Sequence, residues 1–95
     1  MLNVAILGAT GLVGKHLIEI LEERNFPVDK LYLLASHRSV GASSQFKNKT
    51  HFVLDVEEFD FSQDQIAFFS AGGEVSKKYV PLATQKGCIV IDNTS

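Results

Sequence analysis

The sequence predicts an α/β fold, a mostly parallel sheet flanked by helices. Three observations carry this reading. Short apolar runs recur at strand length, amphipathic segments of helical period separate them, and a glycine-rich turn joins the first run to the first helix. The first strand–helix–strand passage takes about thirty residues, the size of one βαβ unit.

Asn3 to Leu7 (NVAIL) is mostly apolar, ends at Gly8 and reads as a buried parallel strand. From Leu12 the period changes. Val13, Leu17, Ile20, Leu21 and Arg24 fall on one side, and Lys15, His16, Glu19, Glu22 and Glu23 mostly on the other. That is an amphipathic helix of about three turns, ended by Asn25 and Pro27. Leu31 to Ala35 (LYLLA) is a second strand. Ser36 to Lys49 is rich in Ser, Gly, Asn and Lys without periodicity and reads as surface loop. Thr50 to Leu54 is a short strand; Val56 to Gln65, acidic with Phe59 and Phe61 alternating, is a turn or short helical piece.

Ile66 to Phe69 (IAFF) is another buried strand, closed by Ser70-Ala71-Gly72-Gly73. A helix follows from about Glu74 to Lys86, with Val75, Tyr79, Leu82 and Ala83 on one face. Pro81 sits inside it, so the helix either starts late or is kinked. Cys88 to Ile91 is the last strand, running into Asp92-Asn93-Thr94-Ser95. The sequence stops where a polar loop has begun, so the sheet is expected to be incomplete at the C-terminus.

Composition narrows the class. With 45% apolar and 21% charged residues in 95, the chain is an ordinary globular sequence with room for one small domain. A net charge of -2 offers no basic face for a phosphate backbone, so no nucleic-acid partner is expected. The apolar runs are too short to span a bilayer, and no membrane partner is expected. The single cysteine, Cys88, can form neither an internal disulfide nor a multi-thiolate metal site, which fits a cytoplasmic setting. No metal site is expected, because the histidines His16, His37 and His51 form no ligand cluster.

Gly8, Gly11 and Gly14 stand three apart between a strand and a helix. In a dinucleotide-binding turn the first glycine permits the bend and the second lets backbone approach a pyrophosphate. The third removes a side chain where helix meets strand, and the helix N-terminus offers N–H groups to the phosphates. The spacing is GxxGxxG, not GxGxxG, and taken alone it also fits turn glycines of an unrelated α/β domain. Thr10 adds a hydroxyl donor, and no Walker lysine follows.

At the end of the second strand an NAD site usually carries Asp or Glu for the adenosine ribose hydroxyls. Here stand Ala35-Ser36-His37-Arg38-Ser39, without an acid. An arginine between two serines suits a 2′-phosphate, with a bidentate cationic fork and two hydroxyls. NADP is expected over NAD.

Five segments together resemble the amino-terminal part of aspartate-semialdehyde dehydrogenase. They are Val4 to Gly14 (VAILGATGLVG), Leu21 to Val28 (LEERNFPV), Leu34 to Ser39 (LASHRS), Phe69 to Ser76 (FSAGGEVS) and Val90 to Ser95 (VIDNTS). The likeness covers essentially the whole chain and implies a Rossmann-like NAD(P)-binding domain over residues 1–95, an N-terminal fragment without the catalytic and dimerisation domain. It implies that Gly8, Thr10, Gly11, Leu12, Val13 and Gly14 wrap the cofactor pyrophosphate, and that Ser36, Arg38 and Ser39 contact the 2′-phosphate. Ser70, Ala71, Gly72 and Gly73 would lie along the dinucleotide and Asn93 near the nicotinamide. The three histidines read as ordinary residues, His37 in the cofactor loop being the one near the adenosine.

The family reaction is reversible NADPH-dependent reduction of aspartyl phosphate to aspartate semialdehyde, with release of phosphate, on the way to lysine, threonine, methionine and isoleucine. Its substrate is a small molecule and its enzymes are homodimers. The family's nucleophilic cysteine and acid/base histidine belong to a later part of the chain, so no catalytic residue is expected here. Cys88 reads instead as a small core residue. Ser43, Ser44 and Gln45 replace residues more basic in many relatives, and Thr94 stands where serine is common.

Three other readings share parts of the pattern. A sister reductase, such as one for N-acetylglutamyl phosphate, shares the loop and the downstream cysteine. An extended short-chain reductase or epimerase needs a Tyr-x-x-x-Lys pair, and here Tyr79 is followed by Ala83. A non-catalytic relative would keep the fold as a binding or structural protein.

Overall fold

β1 (Leu2–Leu7) lies inside a six-stranded sheet, between β2 (Val28–Ala35) and β5 (Ile66–Phe69), in the computed structural model, which describes residues 2–92. The full order is β3-β4-β2-β1-β5-β6, with β3 (Ser43–Phe46), β4 (Lys49–Asp55) and β6 (Ile89–Asp92) completing it. All neighbours run parallel except β3 and β4. This is the Rossmann-like α/β arrangement that the apolar runs predict.

β1 is buried on both faces because it has helices above and below. Val4 and Ile6 join one core with Ile18, Leu21, Leu31, Leu33 and Val53; Ala5 and Leu7 join another with Leu34, Phe61, Phe69, Tyr79 and Ala83. The period-2 alternation of a strand sends successive side chains to opposite layers. No helix among the described residues is long and apolar enough to cross a membrane.

Helix α1 (Leu12–Glu23) covers the first layer. Its buried residues are Gly14, Ile18 and Leu21, with Leu17 partly buried. The expected face was therefore turned: Val13, Ile20 and Arg24 are exposed. The cause is at the helix start. Gly14 is pressed against the backbone of Gly8 and Ala9, which fixes the face that meets the sheet.

Helix α2 (Gly73–Gln85) covers the second layer with Ser76, Tyr79 and Ala83, while Leu82 is exposed. The helix does not start late, since Pro81 lies within it. Pro81 is exposed, so water can satisfy the carbonyl its missing N–H would have engaged. Nearby, the Thr84 hydroxyl donates to the carbonyls of Val80 and Pro81.

The stretch expected as plain loop holds structure. A 3-10 turn spans His37–Ser39, and β3 pairs antiparallel with β4 in register Phe46↔Lys49. Lys47 and Asn48 make the two-residue hairpin turn, with φ of 50° and 66°, the positive values that such tight hairpins need. Phe46 is buried against the first core, and the Lys47 ammonium donates to the Phe26 carbonyl at 3.1 Å. A second 3-10 turn, Val56–Glu58, follows β4 where a turn or short helical piece was expected.

Candidate functional site

At the carboxyl ends of β1, β2, β4 and β5 a cleft of about 700 Å³ opens. Its floor is the glycine turn. Gly8 has φ +90°, and a Cβ there would lie 2.9 Å from Ser70 Oγ and 3.0 Å from the Ala71 nitrogen. The turn after β5 therefore packs directly on the turn after β1, and the Ser70 hydroxyl donates to the Leu7 carbonyl at 3.1 Å. A Cβ on Gly14 would come 2.2 Å from the Gly8 oxygen, too close for any side chain. At Gly11 the nearest atom is at 3.4 Å, an ordinary contact that leaves room for a ligand.

The three glycines thus divide as the phosphate-binding turn requires: bend, open approach and helix–strand contact. Gly11 caps α1 with no side-chain hydrogen bond and no acid in the first turn. The positive end of the helix is therefore not matched by a side chain of its own cap or first turn.

Of the residues expected to bind cofactor, Gly8, Thr10, Gly11, Ser36, Arg38, Ser39, Ser70 and Ala71 line this one cleft. Others do not. Leu12 is 87% exposed and Val13 43% exposed on the outer side of α1, and Gly14 is buried as a packing contact. Gly72 and Gly73 begin α2 beside the cleft without lining it. Asn93 lies outside the described residues. The Thr10 and Ser39 hydroxyls stand 3.5 Å apart, bringing the glycine turn and the Arg38 turn together. Among the described residues no carboxylate forms an ion pair with Arg38.

Sequence reasoning missed the other wall. Val56 and Glu57 come from the turn after β4, and Glu74, Val75, Lys78 and Tyr79 from α2. Val75 and Tyr79 had only the i, i+4 spacing of a core face as a signal. Lys78 reaches Glu57 across the cleft at 3.4 Å, and both side chains are well exposed.

Cys88 is buried outside the cleft. Its thiol lies 2.9 Å from the Phe61 carbonyl oxygen and 3.3 Å from both Asp64 carboxylate oxygens. Burial, with the Asp64 carboxylate beside it, pushes the thiol up to about 12, so it stays protonated and is a poor nucleophile. His16 is exposed on α1 near Glu19, and His51 packs edge-on against Phe46. No group of three or more His, Cys, Asp or Glu among the described residues could hold a metal ion.

Comparison with known proteins agrees with this geometry. The family described as semialdehyde dehydrogenase, NAD binding domain, matches residues 3–95. Aspartate-semialdehyde dehydrogenase of Shewanella violacea is 61% identical over 93 residues, covering 98% of this chain and 28% of the relative. The crystal structure of aspartate semialdehyde dehydrogenase II from Vibrio cholerae superimposes with a TM-score of 0.98 at 59% identity, over 100% of this chain and 28% of that one. A USG-1 protein homolog of Azotobacter vinelandii is 47% identical over 91 residues, covering 96% of this chain and 27% of the relative. The chain thus spans under a third of the length of these relatives.

Proposed function

The chain belongs to the semialdehyde dehydrogenase NAD-binding family, and from that premise we propose that it is the NADP-binding part of an aspartate-semialdehyde dehydrogenase. The reaction is reversible NADPH-dependent reduction of L-4-aspartyl phosphate to L-aspartate 4-semialdehyde, with release of phosphate. The observation that carries the cofactor reading is the meeting of the glycine turn and the Arg38 turn in one cleft.

Gly8, Thr10 and Gly11 hold the pyrophosphate with the first turn of α1, and Leu12 and Val13 contribute backbone there. Gly14 lets the helix approach. Ser36, Arg38 and Ser39 take the 2′-phosphate. Ser70 to Gly73 lie along the dinucleotide, and Asn93, outside the described residues, is assigned to the nicotinamide end. When bound, the cofactor supplies or accepts the hydride.

Among the described residues no cysteine lines the cleft, and Cys88 is buried away from it. The catalytic cysteine and histidine are assigned to other parts of the enzyme, and residues 1–95 alone are expected to be inactive. The active protein is a cytoplasmic homodimer acting on a small molecule.

Calorimetric titration with NADP and NAD tests this. NADP should bind more tightly, and Arg38→Ala should weaken NADP by roughly 10- to 100-fold, the worth of a charge-assisted contact. NAD affinity should change far less. Equal losses for both cofactors would remove Arg38 from the 2′-phosphate site.

A further inference from the structure

Resting on the NADP reading, we infer that Asp55 is a positioning residue for discrimination between NADP and NAD, holding the His37–Ser39 turn that presents Arg38 to the cleft. Asp55 ends β4, in register with Ala35 at the end of β2. Its side chain therefore emerges at the carboxyl edge of the sheet, one strand over from the turn it meets. One carboxylate oxygen accepts from the Glu57 backbone N–H at 2.9 Å, and the other lies 3.2 Å from His37 Nδ1. A carboxylate oxygen accepts, so this contact is a hydrogen bond in the tautomer whose Nδ1 carries the hydrogen.

The exposures are unequal. The Asp55 side chain is 12% exposed and that of His37 87%. The acid is the buried partner, seated also by a backbone bond, and the imidazole is the exposed one. The backbone bonds within the turn, Ser39 N–H to the Ser36 carbonyl and Val40 N–H to the His37 carbonyl, shape it without anchoring it. Its far end is tied to β4, through the Gly41 N–H on the Val53 carbonyl and the Val53 N–H on the Ala42 carbonyl. At its near end the side-chain tie is His37 to Asp55.

A guanidinium that binds phosphate in bidentate fashion must be held in place, or the site spends binding energy ordering it. That cost falls on NADP, whose 2′-phosphate uses the turn. NAD has no group there and escapes it.

The test is cofactor titration of Asp55→Ala, Asp55→Asn and His37→Phe in the purified protein. Asp55→Ala should weaken NADP about five- to tenfold, one hydrogen bond's worth, with NAD changed less than about twofold. Asp55→Asn should restore NADP to within about threefold, because its oxygen still accepts from Glu57 N–H and its amide can donate to the other His37 tautomer. His37→Phe cuts the tie but leaves Asp55 on Glu57. It should reproduce the Asp55→Ala selectivity loss, and it answers the question where Asp55→Ala does not fold.

Equal losses for both cofactors, tighter NADP binding in Asp55→Ala, or an Asn variant no better than Ala would overturn the positioning role. A wild-type protein without NADP preference would instead sink the cofactor reading beneath it.

Discussion

At Gly14 the cost of one methyl group is set by backbone, which cannot move aside as a side chain can. A Cβ there would stand 2.2 Å from the Gly8 oxygen and 2.9 Å from both Gly8 C and Ala9 Cα. Gly14→Ala should therefore cost at least about 3 kcal/mol, the upper range for overpacking, or prevent folding. Gly11→Ala meets nothing closer than 3.4 Å. It should stay within about 1 kcal/mol of the parent, yet lose cofactor affinity, because its new methyl occupies the ligand's side. Denaturant unfolding of the two variants beside cofactor titration separates these roles. If Gly14→Ala unfolds like the parent, the close approach described for this turn is wrong.

Among the elements, the corner between β5, α2 and β6 holds the one carboxylate that is buried among the described residues. Asp64 is 4% exposed. Burial raises it from 3.8 to about 6, against the Cys88 hydrogen bond, which lowers it. Here the folded state holds its proton more tightly than the unfolded chain. The contribution of Asp64 to stability is therefore greatest below pH ~4, falls as pH rises from about 4 to about 6, and is flat above. Two units correspond to at most about 3 kcal/mol. Asp64→Asn keeps the shape without the titration, so thermal unfolding of both proteins from pH 4 to 7 should show the wild type losing ground to the variant only across that window. Parallel curves would contradict the buried proton.

Elements also differ in how plainly the sequence announces them. β1, β2 and β5 are legible because strands buried on both faces read as unbroken apolar runs. β3 is not. Ser43, Ser44 and Gln45 give no apolar alternation, and the Lys47-Asn48 turn lacks the glycine that marks many hairpins. Only pairing with β4 and the burial of Phe46 make it a strand. In the site, the glycines and Ser36-Arg38-Ser39 show themselves by spacing and chemistry. Val56, Glu57 and Lys78 do not, because they reach the cleft only once the strand order places β4 and α2 around it.

The whole molecule couples these parts. Both turns proposed to take phosphate hang on one sheet of a fold with a radius of gyration of 12.0 Å, so a ligand bridging them would be bound by the folded state alone. NADP at about a hundred times its dissociation constant should add about 2.7 kcal/mol and raise the melting midpoint by on the order of 10 °C. NAD at the same concentration should raise it much less, and equal shifts would argue against a 2′-phosphate site. At one margin β6 presents Ile89, 64% exposed, and Ile91, 46% exposed.

The position of β1 has a consequence for how the fold is reached. It precedes both partners in sequence, yet its registers run to Val28–Leu34 on one side and to Ile66–Phe69 on the other. A ribosome adding roughly 5–20 residues per second takes several seconds to pass from Leu7 to Phe69. Throughout that interval Val4, Ile6 and Leu7, among the most deeply buried side chains in the finished sheet, lack at least one of the two strands that flank them. The nascent chain is most open to chaperone capture, or to wrong pairing, at the segment that the native fold hides best.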